Sequence, residues 1–495
     1  MPLLEKVRKR YTRWVMRADF FQKMQIVIVP ARKALILAIT LTYSLSFGST
    51  TLAQEVVPEP NPTTTTVVQK PSILNAVKRA KVMLNGELAE RRAKGKGRET
   101  VGSKPAWVDV TLAVWERDTD VITLVEIMKS GTKIKPVTPN TWPIRVDYDA
   151  KINSQYSLPP EKNAVVVGVR YPIVITRQVT KKKKVYDISD EVFVPYSSAF
   201  FVPEVLAAGS DYLSFLIQGA FDELRERRVM SHAYPGKLVV DAIDPYLIKS
   251  IVVIEHTDHR SLLKQDDPEH TLGVFLAKLA LNGDDAFDGS KSNAGALGLA
   301  QFIPSTYRLF VKNRPDLALI PDFTTGMNDH QNAVKAEVAY LDESLAEMPT
   351  AVRDITVNDK MKAAEFLAAA YNGGSTRVKR AYNAYGVDWA GDRSGALSAL
   401  QAKATRLHSD IVYRKKLIKK GKEVAANKKM VAKEQRDYDS AVVQIAALKK
   451  SSLRQETVFY VAKLKKTYSM FTSGVFATPA APSGALPTQT VAAAQ

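Results

Sequence analysis

The chain has 495 residues, enough for two or three domains, and carries 70 Lys and Arg against 51 Asp and Glu, a formal net charge of +19. It contains no cysteine, which excludes disulfides, anchoring through a lipidated cysteine and zinc sites of the cysteine type. So positive a balance suits polyanions, but no recognition motif for nucleic acid is present and no nucleic-acid partner is expected.

Residues 1–53 read as a signal peptide or membrane anchor. Lys6, Arg8, Lys9, Arg10, Arg13, Arg17, Arg32 and Lys33 precede the apolar run Ala34–Phe47, and the small residues Thr51 and Ala53 offer a signal peptidase a cutting site. The run is short for a membrane span and fits a signal-peptide core; an uncleaved anchor extended through Ile26–Val29 is the alternative. Basic residues ahead of the run keep the N-terminus inside and send the rest out, so an exported, periplasmic or cell-envelope protein is expected.

Residues 54–104 read as linker: a Pro- and Thr-rich extended stretch over Val56–Pro71, a short helix over Ser72–Leu88, and a basic loop over Lys94–Lys104. From 105 to 200 the texture changes. Trp107–Trp115, Val121–Ile127, Ile144–Tyr148, Ala164–Thr176 and Lys184–Val194 are rich in β-branched and aromatic residues and are separated by Gly, Pro and Asn breaks, the pattern of a small β-rich domain of mostly antiparallel strands. Lys181–Lys184 then sits at a hairpin tip or edge. The residues of this domain do not reveal whether it binds wall polymer, binds a protein or acts as a spacer. Phe201–Met230 is amphipathic and helical, within a helical connector over 201–239.

The chemistry-bearing segments follow. Asp244 reads as an N-cap with Pro245 at the first helical position. Leu247, Ile251 and Glu255 share one stripe of the helix that follows. A carboxylate on a core-facing stripe is desolvated by Ile251, Val252 and Ile254, which raises its proton affinity, as a general acid near neutral pH requires; a half-exposed glutamate at a helix end is the alternative. Next comes Gly295-Ala296-Leu-Gly298-Leu-Ala-Gln301-Phe-Ile-Pro-Ser-Thr-Tyr307. Glycine allows backbone to approach a ligand closely, and Gln301 offers a donor and an acceptor; alone, the segment also fits a turn between helices. Ala368-Ala-Ala-Tyr371-Asn372-Gly-Gly374 ends an apolar helix with a Tyr-Asn pair, placed either to face a cleft or to cap and pack.

Leu400, Leu407, Ile411 and Ile418, then Val431, Tyr438, Val442 and Ile445, recur by sevens, fours and threes, the seam of a helical hairpin or coiled coil with its turn over Gly421–Asn427. Lys415, Lys416, Lys419, Lys420, Lys422, Lys428 and Lys429 surround the turn. They form either a solvated face or a basic arm for an anionic membrane or wall polymer. Leu453-Arg-Gln-Glu456-Thr-Val-Phe-Tyr-Val-Ala-Lys463 closes the region.

The glutamate helix, the Gly-Ala-x-Gly-Leu-x-Gln-Phe-x-Pro-Ser-Thr segment, the Ala-Tyr-Asn-x-Gly segment and the closing Glu-Thr-x-x-Tyr-Val segment stand in the order found in lytic transglycosylases of the soluble lytic transglycosylase and goose-type lysozyme superfamily. The chain resembles that family over roughly 240–471. The resemblance implies cleavage of the β-1,4 bond between N-acetylmuramic acid and N-acetylglucosamine in peptidoglycan without water, closing a 1,6-anhydro ring. It implies Glu255 as the single acid and base, and Gly295, Ala296, Gly298 and Gln301 at the cleft floor. Tyr371 and Asn372 would line the cleft and Glu456 would be a supporting carboxylate. It implies no metal and no cofactor, with peptidoglycan glycan strands as partner. Three features depart from the family. His256 stands where serine commonly follows the glutamate, as a candidate for orienting the carboxylate. The interval from Glu255 to Gly295 is long. The gap from Asn372 to Glu456 is wide and holds the hairpin as an insertion over about 395–450.

The whole reads as α+β: a mainly α-helical, lysozyme-like catalytic domain with an inserted basic helical hairpin, preceded by a small β-rich domain, with a disordered Ala/Pro/Thr-rich tail over 472–495. A hydrolytic muramidase on the same fold, a catalytically impaired peptidoglycan-binding or assembly protein and a membrane-anchored scaffold are the rival readings.

Overall fold

The computed structural model describes residues 72–476 apart from 138–141, 181–182 and 264–266. The expected signal peptide or anchor, the Pro- and Thr-rich part of the linker and the tail beyond 476 lie outside the described residues, as do Lys181 and Lys182 of the expected hairpin tip. No described helix is long and apolar enough to cross a membrane.

The stretch expected to be linker begins with a real element. Helix α1 (Ile73–Ala93) is capped by Ser72, whose side chain accepts from the Asn75 N–H. It buries Ile73, Ala76, Val77, Ala80, Leu84 and Leu88, a stripe spaced by threes and fours. A six-stranded antiparallel sheet follows. Strands β1 (Arg98–Val101), β2 (Val108–Glu116), β3 (Ile122–Ser130) and β4 (Lys133–Pro136) come first; β5 (Arg145–Tyr148) and β6 (Gln155–Ser157) form a separate ribbon; β7 (Ala164–Gln178) and β8 (Lys184–Phe193) complete the sheet in the order β1-β8-β7-β2-β3-β4. Both faces are covered. Ala113, Trp115, Val165 and Val167 pack under α1, while Leu112, Val114, Val166 and Val169 pack under Ile144, Val146 and Tyr156 of the ribbon region. Within this packing the fully buried Arg170 bonds Glu87 of α1 at 3.0 Å, Asp109 at 3.0 Å and Asp190 at 3.2 Å. The region 73–104 therefore belongs to the β-domain, not to a linker.

Helix α2 (Pro203–Glu226) carries ten buried residues. Leu213, Leu216, Ile217, Ala220, Phe221 and Leu224 enter the main helical core, so this segment is a wall of the domain, not a connector. It crosses α4 (Pro268–Asn282) so closely that a Cβ at Gly209 would stand 2.0 Å from the Leu276 carbonyl oxygen. Between them in sequence lies α3 (Pro245–Glu255), with Asp244 accepting from the Tyr246 N–H at 2.8 Å. The sheet and the helices meet through Phe200, Val205 and Leu206 against Ala277 and Leu281. Asn282 reinforces that contact, its amide pairing with the Val194 N–H and C=O at 2.9 and 3.1 Å.

The core continues through α5 (Pro304–Asn313), α6 (His330–Ala346), α7 (Lys360–Gly373) and α8 (Ser375–Tyr385). Next come two long helices packed on each other, α9 (Ser394–Lys419) and α10 (Val424–Ser451), and then α11 (Gln455–Thr472). The observed turn is shorter than expected, with Glu423 in the left-handed region and Asn427 already helical. Their seam buries Ala404, Leu407 and Ile411 against Asn427, Glu434 and Ala441. Val442, expected in the seam, is 42% exposed. The heptad runs through 427, 434 and 441 instead, because Arg414 occupies the seam, donating to Glu434 at 2.8 Å and Asn427 at 3.3 Å. The pair's base is tied down by Tyr385–Ser451 (2.7 Å) and by Arg377 donating to the Ser452 carbonyl (3.3 Å).

Candidate active site

Glu255 is the last residue of α3, a helix whose buried face is Leu247, Ile248 and Ile251–Ile254. Placing it there leaves one side of the carboxyl against the core and the other on a cavity of about 490 Å³. Burial is the largest influence and raises its proton affinity above the usual carboxylate range; the nearby charge of Glu456 acts in the same direction. The Tyr460 hydroxyl donates to Oε1 at 2.7 Å and, with Lys463, partly offsets the rise. The site thus favours a protonated glutamate whose anion, once formed, is met by one hydroxyl and one ammonium.

Helix α11 supplies that partner set. Glu456, Phe459, Tyr460 and Lys463 fall at i, i+3, i+4 and i+7 and all line the cavity. Lys463 is buried, and its ammonium reaches the Ile254 carbonyl at 3.5 Å, near the C-terminal end of α3. Tyr468, two turns beyond Tyr460, donates to the Asp244 carboxylate at 3.1 Å, so α11 is pinned to both ends of the glutamate helix. Ile254, Thr257, Asp258, Asn372 and Gln455 complete the lining.

Helix α7 brings Tyr371 and Asn372. Asn372 lines the cavity, and its side-chain oxygen accepts from Thr457 of α11 at 2.8 Å. Tyr371 donates to the Ala300 carbonyl, beneath the glycine segment. Burial, with the charges of Glu337 and Glu255, pushes its phenol well above the ordinary value.

The glycine segment is held largely by contacts within the protein. Gly295, Ala296, Gly298, Gln301 and Tyr371 are not among the cavity-lining residues. Gly295 closes a turn on the Ser292 carbonyl, and the Ala296 N–H bonds the Ser292 hydroxyl at 3.0 Å. Gly298, at φ +69°, is required by protein packing: a Cβ there would lie 1.9 Å from the Met327 carbonyl oxygen. Gln301 is itself left-handed, at φ +50°. Its amide donates to the carbonyls of Ser290 (3.0 Å) and Gly298 (2.8 Å), so its donors hold the loop instead of facing outward. The segment is a rigid support behind the acid, latched from below by Tyr371.

His256 corrects an expectation. Its Nε2 meets the Leu299 carbonyl at 2.9 Å, and its ring stacks on Phe287 with centroids 4.1 Å apart. It therefore orients the glycine segment from the core, and no hydrogen bond joins it to Glu255. Burial pushes its imidazole down to about 4, so it is neutral at physiological pH.

In the sequence, Thr457 and Tyr460 stand out only as part of the closing Glu-Thr-x-x-Tyr-Val segment, with no role of their own, and Lys463 has none either, although the four- and seven-residue offsets from Glu456 are there to be read. Glu337 on α6 is not singled out there either. That carboxyl is fully buried, neither oxygen has a hydrogen-bond partner among the described residues, and burial together with the Glu255 charge raises it well above its usual value. Among the described residues no group of three or more His, Asp or Glu is placed to hold a metal ion.

Comparison with known families gives one match: residues 287–387 fit the family described as the transglycosylase SLT domain. The matched span includes the glycine segment, Tyr371 and Asn372, and it falls between Glu255 and Glu456. No curated protein and no solved structure matches the chain.

Proposed function

Taking residues 287–387 as a transglycosylase SLT domain of the lytic transglycosylase and lysozyme-like superfamily, we propose that the chain is an exported peptidoglycan lytic transglycosylase with Glu255 as its single acid and base. In this reading the protonated Glu255 gives its proton to the oxygen linking N-acetylmuramic acid to N-acetylglucosamine, and the C1–O bond breaks. The resulting carboxylate, held by Tyr460 and Lys463, takes the proton from the muramoyl C6 hydroxyl as that oxygen bonds to C1. The products are a 1,6-anhydro end and a free hydroxyl on the leaving sugar; Glu255 returns to its starting state and no water is consumed. Glu456 acts through its charge, sustaining the proton on Glu255, and Asn372 with Gln455 offers polar contacts to the glycan.

The observation that carries the proposal is Glu255 itself: a carboxyl with raised proton affinity on a cavity of about 490 Å³, hydrogen-bonded by Tyr460. The inward direction of His256 removes the reason to read the departure beside the acid as a lost site. Helices α9 and α10 are in this reading an insertion between the family span and α11, forming a basic arm toward anionic membrane or wall polymer. Export rests on the basic and apolar N-terminal sequence. Mass spectrometry of digested sacculi tests the chemistry: 1,6-anhydromuramoyl ends are expected, whereas reducing ends would show a hydrolytic muramidase, and binding without soluble product a non-catalytic protein.

A further inference from the structure

The paired helices α9 and α10 end in an unusual concentration of charge. Between 414 and 433 the sequence holds eight lysines and Arg414 against a single acid, Glu423 at the turn.

 The next acid, Glu434, lies just past this stretch and is taken up by Arg414 at 2.8 Å. Arg414 is thus spent inside the seam, while Lys415, Lys416, Lys419, Lys420, Lys422, Lys428, Lys429 and Lys433 are all exposed. Apolar side chains stand among them in the open: Val412 is 53% exposed, Tyr413 62%, and Val424 and Met430 36% each.

From this juxtaposition we infer that the tip of the arm is a docking surface for an anionic phospholipid bilayer, and that it holds the cleft at a set reach from that surface. The inference deepens the proposed function by naming the partner of the arm. Charge alone would suit any polyanion. The interleaved Tyr, Val and Met side chains select among them, because a headgroup boundary gives apolar groups a phase to enter while lysine stems lie along it with their ammonium groups in water. A soluble anionic polymer offers no such phase. The arm's other end meets the site directly: α10 ends at Ser451, and α11 begins at Gln455, itself a cavity-lining residue. A helix of 26 to 28 residues spans about 40 Å. The seam bonds of Arg414 and the bonds of Tyr385 and Arg377 at the base stiffen that span.

The test is flotation of the full chain with phosphatidylcholine vesicles, with and without phosphatidylglycerol. The N-terminal segment carries basic residues of its own, so the loss in the lysine variant, and not the vesicle preference alone, reports the arm. Binding is expected to be stronger with phosphatidylglycerol, to weaken with added salt, and to fall by about a hundredfold in the combined variant K415Q/K416Q/K419Q/K420Q. The corresponding Lys→Arg variant should retain it, and circular dichroism should show the same helix content in both variants. Equal binding to both vesicle types, or no loss in the Gln variant, overturns the inference. Release of the protein from vesicles by soluble polyphosphate at equal charge would also overturn it, in favour of an anionic polymer. Muropeptide release from membrane-free sacculi is measured separately, so failure here and failure of the enzymatic reading are distinguishable.

Discussion

Two buried carboxyls lie near each other in the core of this domain, and only one faces the cavity. Glu255 has a hydroxyl partner and a solvent side; Glu337 has neither a hydrogen-bond partner among the described residues nor exposure. Two such groups cannot both ionise cheaply, and the burial of Glu337 makes it the one that keeps its proton. This has a thermodynamic consequence. The unfolded chain releases the Glu337 proton above about pH 4.5, its ordinary value, while the fold retains it. Stability is therefore lost as pH rises from that point toward the raised folded value. Glu337→Gln, which cannot ionise, removes this dependence. The melting temperatures of variant and wild type should differ by a constant near pH 4, and by pH 8 the balance should have moved toward the variant by about 3 °C or more. Parallel melting curves across that range would show that Glu337 is not held neutral.

At the scale of elements, the site is governed by the stripe on α11. Its three ionisable members act on Glu255 with known signs: Tyr460 and Lys463 lower its proton affinity and Glu456 raises it. In the proposed reaction, activity requires the protonated acid and is lost as pH rises through its pKa. Tyr460→Phe and Lys463→Met should each move the alkaline limb of the kcat/KM profile to higher pH, and Glu456→Gln should move it lower. The shifts should each be about half a unit or more; a common direction for all three would contradict the assignment. Much of this was legible in sequence. Glu255 stands out because helical periodicity sets a carboxylate on an apolar stripe, and Asn372 because it lies in a Tyr-Asn segment that resembles the family's. Tyr460 lies 205 residues from its partner, a pairing that no local pattern encodes. The direction of His256 was equally hidden: the aromatic pocket of Phe275 and Phe287 that receives it is built from α4 and the loop beyond. Strands β1 and β4 escaped notice because they are short, polar edge strands with mostly exposed residues. The pairing of α9 and α10 has a different register from the apolar heptad, since the polar set Arg414, Glu434 and Asn427 holds the observed seam.

Across the whole molecule, the division into a β-rich part and a helical part holds, with a different boundary. Helix α1 completes the sheet and α2 completes the helical core, so segments taken for connections turn out to be walls. The reason is physical: each has an apolar stripe that can be buried only by packing, and the hydrophobic cluster running from the sheet to Ala277 and Leu281 joins the two parts. That frame carries α3, α7 and α11 to one cavity, and it places the glycine segment behind the acid as a brace. The central claim is that the carboxyl of Glu255 performs the cleavage. Soluble muropeptides released from purified sacculi by the wild type and by Glu255→Gln test it most directly. The account predicts a loss of at least about a hundredfold in the variant, with its sacculus binding intact; equal release by the two proteins would contradict it.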